Sequence, residues 1–269
     1  SFKKELAVKT PMNASAAKVD PESPCVTDVK SAQVLIGALI WASVVFRQDI
    51  KPAVLKITRF MQNPTVQTVA WCDWLWRYIG GTLNLMLAVK RDVKFRNEDI
   101  FQSKFIHWGQ GAFDSTWEVP KSVSGFLIFV FGLLVCAKSS VQTTTALSST
   151  EAEIIALLLC CKHAVFIRSF VSELVGVPLE KLSSMLIFGD NIGALKAGNE
   201  GAISNKLKHM NLAEIKIHEW KQMKHFVFRQ CSSWDNASDF MTKVTLSHED
   251  TVRHRSSFMK WYTRHDSVD

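Results

Sequence analysis

The chain has 269 residues, 47% of them hydrophobic, which excludes general disorder and predicts one large domain or two ordinary ones. Its net charge of +7 fits an acidic partner such as nucleic acid without requiring one. Six cysteines with no Cys-x-x-Cys pair exclude a zinc pattern and a compact disulfide framework, and fit buried thiols in a reducing compartment, organelle unspecified.

Residues 1–30 carry three prolines and little periodicity, and read as an extended lead-in. Residues 31–47 are apolar and helix-compatible. Pro52 suits the first turn of a second helix, "PAVLKITRFMQ", which stops before Pro64. A third helix is expected from Thr65 to Ile79, ended by Gly80 and Gly81. It carries Trp71, Trp74 and Trp76, whose plain reading is helix packing rather than base stacking. The apolar runs "LIGALIWASVVF" (35–46) and "FLIFVFGLLVCA" (126–137) are each about 12 residues, short of the roughly 20 a membrane helix needs. No membrane partner is expected; a targeting peptide ahead of Ser1 stays open.

The pattern then changes. "TLNLMLAVKRDVKF" (82–95) alternates like a strand, and "KFIHWGQGAFDS" (104–115) reads as another. "GFLIFVFGLLVCAKSS" (125–140) predicts two strands turning near Phe131-Gly132. "TALSSTEAEIIALLLCC" (145–161) starts a helix, with capping-box spacing at Ser148 and Glu151 or at Thr150 and Glu153. "SSMLIFGDN" (183–191) and "HFVFRQ" (225–230) are short strands. "SWDNASDFMTK" (233–243) begins a last helix, capped by Asp235 or Asn236. From residue 104 the order is β-β-β-α-β-α-β-α, an α/β domain with an antiparallel and a parallel part.

Four acids fall at comparable places: Asp114 and Asp190 at strand ends, Glu153 and Asp239 at helix starts. Strand ends and helix starts on one side of such a sheet converge on a site. Clustered carboxylates repel, and magnesium or manganese is the usual relief; two ions about 4 Å apart clamp an in-line phosphoryl displacement. Each acid alone reads equally as dipole compensation at a helix start. Lys206, Lys208, Lys216, Lys221, Lys224 and Arg229, with His209, make 206–229 basic and fit contacts to a phosphate backbone, or else a solvated helix face.

The motifs "KSVSGFLIF" (121–129), "ALSSTEAEIIAL" (146–157), "FGDNIGAL" (188–195), "KHMN" (208–211) and "ASDFMTK" (237–243) resemble the ribonuclease H domain of copia-type retrotransposon Pol polyproteins. Upstream, "LIGALIWAS", "RQDIKPAVLKITRFMQNPT" and "RYIGGTLNLML" resemble the segment joining the polymerase palm to that domain. The resemblance implies a ribonuclease H-like mixed five-stranded sheet flanked by helices, behind a mostly helical N-terminal segment. It implies an extended lead-in over 1–30, a connection or thumb-like segment over 31–100, the nuclease-like domain over 101–245 and a basic tail over 246–269.

The resemblance also assigns roles. Glu153, followed by Ile-Ile-Ala-Leu, matches the family's catalytic acid and leaves Glu151 as a cap. Asp190 and Asp239 match two further acids. "FDSTW" makes Asp114 the first acid, whereas an ungapped alignment places Gln110 there. Departures are Ile154 for a tyrosine, a hairpin turn reduced to Gly132, and Asn211 for an acid. No Asp-Asp pair occurs, so polymerase activity is not expected. Two functions follow: magnesium- or manganese-dependent hydrolysis of RNA in RNA–DNA hybrids, or a silent, domesticated RNA-binding subunit of a ribonucleoprotein such as a ribosome, with no cofactor and with protein partners.

Overall fold

The computed structural model describes residues 7–13, 15, 17–87, 108–200 and 208–261. The chain divides into two compact units, one of Ser1–Ala88 with Lys243–Asp269, the other of Val89–Thr242.

The first unit begins with three helices: α1 (Val29–Val45), α2 (Lys51–Thr58) and α3 (Val66–Gly81). Asp28 caps α1 by accepting from Ser31 N, and Pro52 stands in the first turn of α2 as expected. Thr65 and Thr68 satisfy each other's backbone at the start of α3 in a reciprocal capping box. Ile36, Leu39, Ile50, Ile57, Trp71 and Leu75 form one core. A buried polar network threads it: Arg47 makes a bidentate pair with Asp49, Tyr78 Oη donates to Asp49, and Arg255 donates to Tyr78. Of the expected 82–95 strand, residues 85–87 form strand β1 (Leu85–Leu87), residues 82–84 form a turn, and the rest lies outside the described residues.

The second unit carries β2 (Gly109–Ser115), β3 (Val123–Val130) and β4 (Leu133–Val141), joined antiparallel. Phe131 and Gly132 both have positive φ, which gives the two-residue turn whose twist suits a hairpin. Glycine takes that conformation freely; Phe131 takes it at a steric cost. Next come α4 (Ser149–Val175), β5 (Met185–Gly189), α5 (Ile192–Glu200), α6 (Lys208–Gln222), β6 (Phe226–Gln230) and α7 (Asp239–Thr242). The sheet order is β4-β3-β2-β5-β6, with β2, β5 and β6 parallel. This is the ribonuclease H-like mixed five-stranded sheet expected from the sequence.

Helix α4 has 27 residues and is long and apolar enough to cross a bilayer by length and composition, unlike the 12-residue runs the sequence singled out. Instead Leu157, Cys160, Cys161 and Ala164 join Phe113, Phe126, Ile187 and Phe226 in the core of this unit. Each of the leucine, isoleucine and phenylalanine side chains contributes roughly 1.5–3 kcal/mol by leaving water. Arg168, near the helix's far end, is buried and donates to the carbonyls of Ser183 and Leu182. Burial lowers its pKa to about 10.

The segment 246–269, read as a basic tail, carries structure: α8 (His248–Arg255) and β7 (Met259–Trp261). Strand β7 pairs antiparallel with β1, Met86 opposite Lys260. Ser247 caps α8, and Arg255 supplies the last member of the buried network described above.

Candidate metal centre

The sheet topology sets the site. β2 and β5 are parallel neighbours, so their C-terminal ends lie side by side. Asp114 comes from the end of β2 and Asp190 follows β5 directly. Asp239 opens α7. One carboxylate oxygen from each of Asp114, Asp190 and Asp239 lies within 4.8 Å of the other two. At that spacing each ionised pair repels by about 3 kcal/mol for an effective dielectric of about 20.

Gln110, the alternative first acid, lies earlier on β2, paired with Phe129 and exposed; it is not in this group. Asp114 instead pairs with Gly125 on β3. A Cβ on Gly125 would stand 2.6 Å from Met241 Cβ and 2.7 Å from Thr242 Cγ2. The missing side chain lets α7 settle onto β3. Thr242 then donates its hydroxyl to Asp114 Oδ2 and, at 3.2 Å, to the Asp239 carbonyl. Asn236 Nδ2 donates to the Phe113 carbonyl, fixing the loop before α7 against β2. Ser233 Oγ donates to Asp190 Oδ2 at 2.6 Å. Sequence reasoning missed Thr242 and Ser233 and read Asn236 only as a possible helix cap; their signal was the density of hydroxyl and amide side chains around Asp239.

The two glutamates of "STEAE" separate. Ser148 is the N-cap, accepting from Glu151 N, and Glu151 Oε2 accepts from Leu147 N at 2.8 Å. Glu151 thus closes the helix start. Glu153, 6% exposed, faces inward: its Oε1 accepts from Ser115 N at 3.1 Å, beside Asp114. Its Oε2 is buried with no hydrogen-bond partner among the described residues. Burial, and then the charge of Asp114, push its pKa up to about 8; the Ser115 hydrogen bond opposes them, and Asp190 adds a smaller upward push.

The donor set fits a hard divalent cation. It consists of carboxylate oxygens, three of them already gathered, and the bare Glu153 oxygen is the kind of buried acceptor a cation satisfies.

The basic residues are less concentrated. Lys206 lies outside the described residues, and Lys208 and His209 open α6. Lys216 pairs with Glu219 at 2.9 Å and stands over the Trp220 ring. Lys221 Nζ donates to the Asn199 carbonyl. Lys216 and Lys221 are five positions apart on one helix, which turns them well away from a shared face. Lys224, exposed, follows α6 with positive φ, and Arg229 is exposed on the outer strand β6.

This is a ribonuclease H-like fold with a carboxylate cluster where the parallel strands end. Comparison with known proteins agrees in class. The retrovirus-related Pol polyprotein from transposon TNT 1-94 of Nicotiana tabacum is 27% identical over 210 residues, 78% of this chain and 15% of its own length. That from transposon RE1 of Arabidopsis thaliana is 25% identical over 240 residues, 88% of this chain and again 15% of its own length. The chain is thus similar to retrotransposon Pol polyproteins and spans about 15% of the length of each of these two. The secreted RxLR effector protein 161 of Plasmopara viticola is 29% identical over 141 residues, 49% of this chain and 87% of the effector. No protein-family model matches the chain.

Among solved structures, LC11-RNase H1 in complex with an RNA/DNA hybrid aligns over 51% of this chain and 95% of its own, at 15% identity and a TM-score of 0.40. The foamy viral protease-reverse transcriptase in complex with double-stranded DNA aligns over 81% of this chain and 34% of its own, at 10% identity and a TM-score of 0.41.

Proposed function

We propose that the chain is a nucleic-acid-binding, divalent-metal-dependent nuclease segment that hydrolyses the RNA strand of RNA–DNA hybrids. The observation that carries this reading is the grouping of Asp114, Asp190 and Asp239 within 4.8 Å, with the unpartnered, proton-holding Glu153 oxygen behind them. Asp114, Asp190, Asp239 and Glu153 are the residues that would hold magnesium or manganese. A bound ion supplies charge neutralisation at the scissile phosphate and a lowered pKa for its water. Thr242 and Ser233 orient Asp114 and Asp190 through their hydroxyls. Glu153 releases its proton from the buried carboxyl as the site fills. Exposed Lys224 and Arg229, with the remaining basic residues of 206–229, give salt-dependent contacts to the phosphate backbone. The 2′-hydroxyls and A-like shape of the hybrid are what distinguish it from DNA.

The test is incubation of the purified chain with a labelled hybrid in magnesium or manganese. Cleavage of the RNA strand that stops in chelator and in Asp190→Asn supports the reading. An intact hybrid, under conditions where an established ribonuclease H cuts it, ends the enzymatic reading; hybrid that is bound but uncut favours the silent subunit.

A further inference from the structure

A cavity lies within the helical unit. It measures about 320 Å³ and is walled by Trp71, Trp74 and Arg77 of α3 and by Met12 and Asn13 of the lead-in, with Gln67 at one end. Gln67, Trp71 and Trp74 recur at helical spacing, so one face of α3 presents them together. The lead-in is held over that face. Trp74 Nε1 donates to the Thr10 carbonyl at 2.9 Å, and the Gln67 amide accepts from Asp20 N and donates to the Lys18 carbonyl.

The chemistry of the lining is aromatic and cationic. The Arg77 guanidinium stands 5.5 Å from the Trp74 ring centroid, with its Nε 3.0 Å from the Asp73 carboxylate. Two indoles in the lining with a guanidinium beside one of them match a planar ring bearing a negative group that shares Arg77 with Asp73. Asn13 Oδ1 is taken up by Ser15 N and Oγ, so the amide that Asn13 brings to the cavity is an NH2 donor, suited to a ring carbonyl. The volume is at the low end of the roughly 300–1,000 Å³ of small-ligand sites, which fits one nucleoside rather than a peptide segment. A chain of net charge +7 supplies the long-range attraction for a polyanion.

We propose that this cavity is a binding site for one unpaired nucleotide, a keto base held by Trp74, Trp71 and Asn13 with its phosphate at Arg77. It would take a single-stranded stretch of nucleic acid, independently of the carboxylate cluster.

The experiment is calorimetric titration of the full chain with oligouridylate in excess chelator, so that the carboxylate cluster takes no part. Saturable binding is expected. Trp74→Leu weakens it by about tenfold or more, Trp74→Phe retains most of it, and Arg77→Gln lowers the salt slope by about one phosphate contact. Trp76→Leu, on an exposed indole that does not line the cavity, leaves binding unchanged. If Trp74→Leu fails to fold, the salt slope of Arg77→Gln decides alone. No binding at millimolar oligouridylate, binding indifferent to both Trp74→Leu and Arg77→Gln, or occupation by an apolar peptide that oligouridylate does not displace overturns the assignment. None of these outcomes bears on hybrid cleavage, so the two readings fail separately.

Discussion

Replacing Glu153 by glutamine should stabilise the metal-free protein, and only above the pH where an ordinary glutamate ionises. In the unfolded chain Glu153 loses its proton near 4.5; in the folded protein burial and the Asp114 and Asp190 charges hold it to about 8. Between these values the folded state binds more protons than the unfolded one, so stability falls as pH rises through the window. At about 1.4 kcal/mol per unit, the penalty reaches about 3 kcal/mol at pH 7 and about 4 kcal/mol at pH 8. Glutamine keeps an oxygen to accept from Ser115 N and carries no proton to lose. Thermal melts in chelator should therefore coincide for the two proteins near pH 4.5. Near pH 7 they should separate, glutamine higher by on the order of 5–10 °C for a unit of this size. A glutamine variant that is less stable at neutral pH, or equally shifted at both pH values, refutes the burial and charge argument. Activity should move the opposite way, with hybrid cleavage lost.

Three further outcomes follow from other contacts. Magnesium or manganese should raise the melting temperature of the wild-type chain and release protons on binding, with affinity rising toward pH 8; Asp190→Asn should abolish both effects in calorimetry run in buffers of different ionisation enthalpy. Gly125→Ala should push α7 off β3, costing about 1–3 kcal/mol in urea unfolding and weakening metal binding through displaced Thr242 and Asp239. Asp49→Asn should cost about 3–5 kcal/mol by leaving buried Arg47 without its countercharge, read as a lower urea midpoint for the helical unit, with the metal affinity of the other unit unchanged.

Much of the fold was legible because its signals are local. Phe131-Gly132 marks the hairpin turn and Pro52 the start of α2, since backbone chemistry decides both. The choice between Ser148 and Thr150 as the cap was not legible, because both spacings satisfy the same pattern. It is settled by Glu151 reaching Leu147 N while Glu153 turns to Ser115, a contact made from the helix to strand β2. The same holds for Asp114 against Gln110: both lie on β2, and only the packing of Gly125 under α7 shows which one meets Asp239. The β1–β7 pairing could not be read at all. Three-residue strands carry too little periodicity, and these two are separated in sequence by the whole of the other unit.

That pairing has a consequence for how the protein comes into being. The carboxylate-bearing unit is an insertion, spelled out between the two pieces of the helical one. During vectorial synthesis the carboxylate-bearing unit is complete at Thr242, whereas β1 still lacks its neighbour and Tyr78 still lacks Arg255. The piece that starts first therefore finishes last. A premature stop after Lys243 would release a finished sheet unit together with an unfinished helical one.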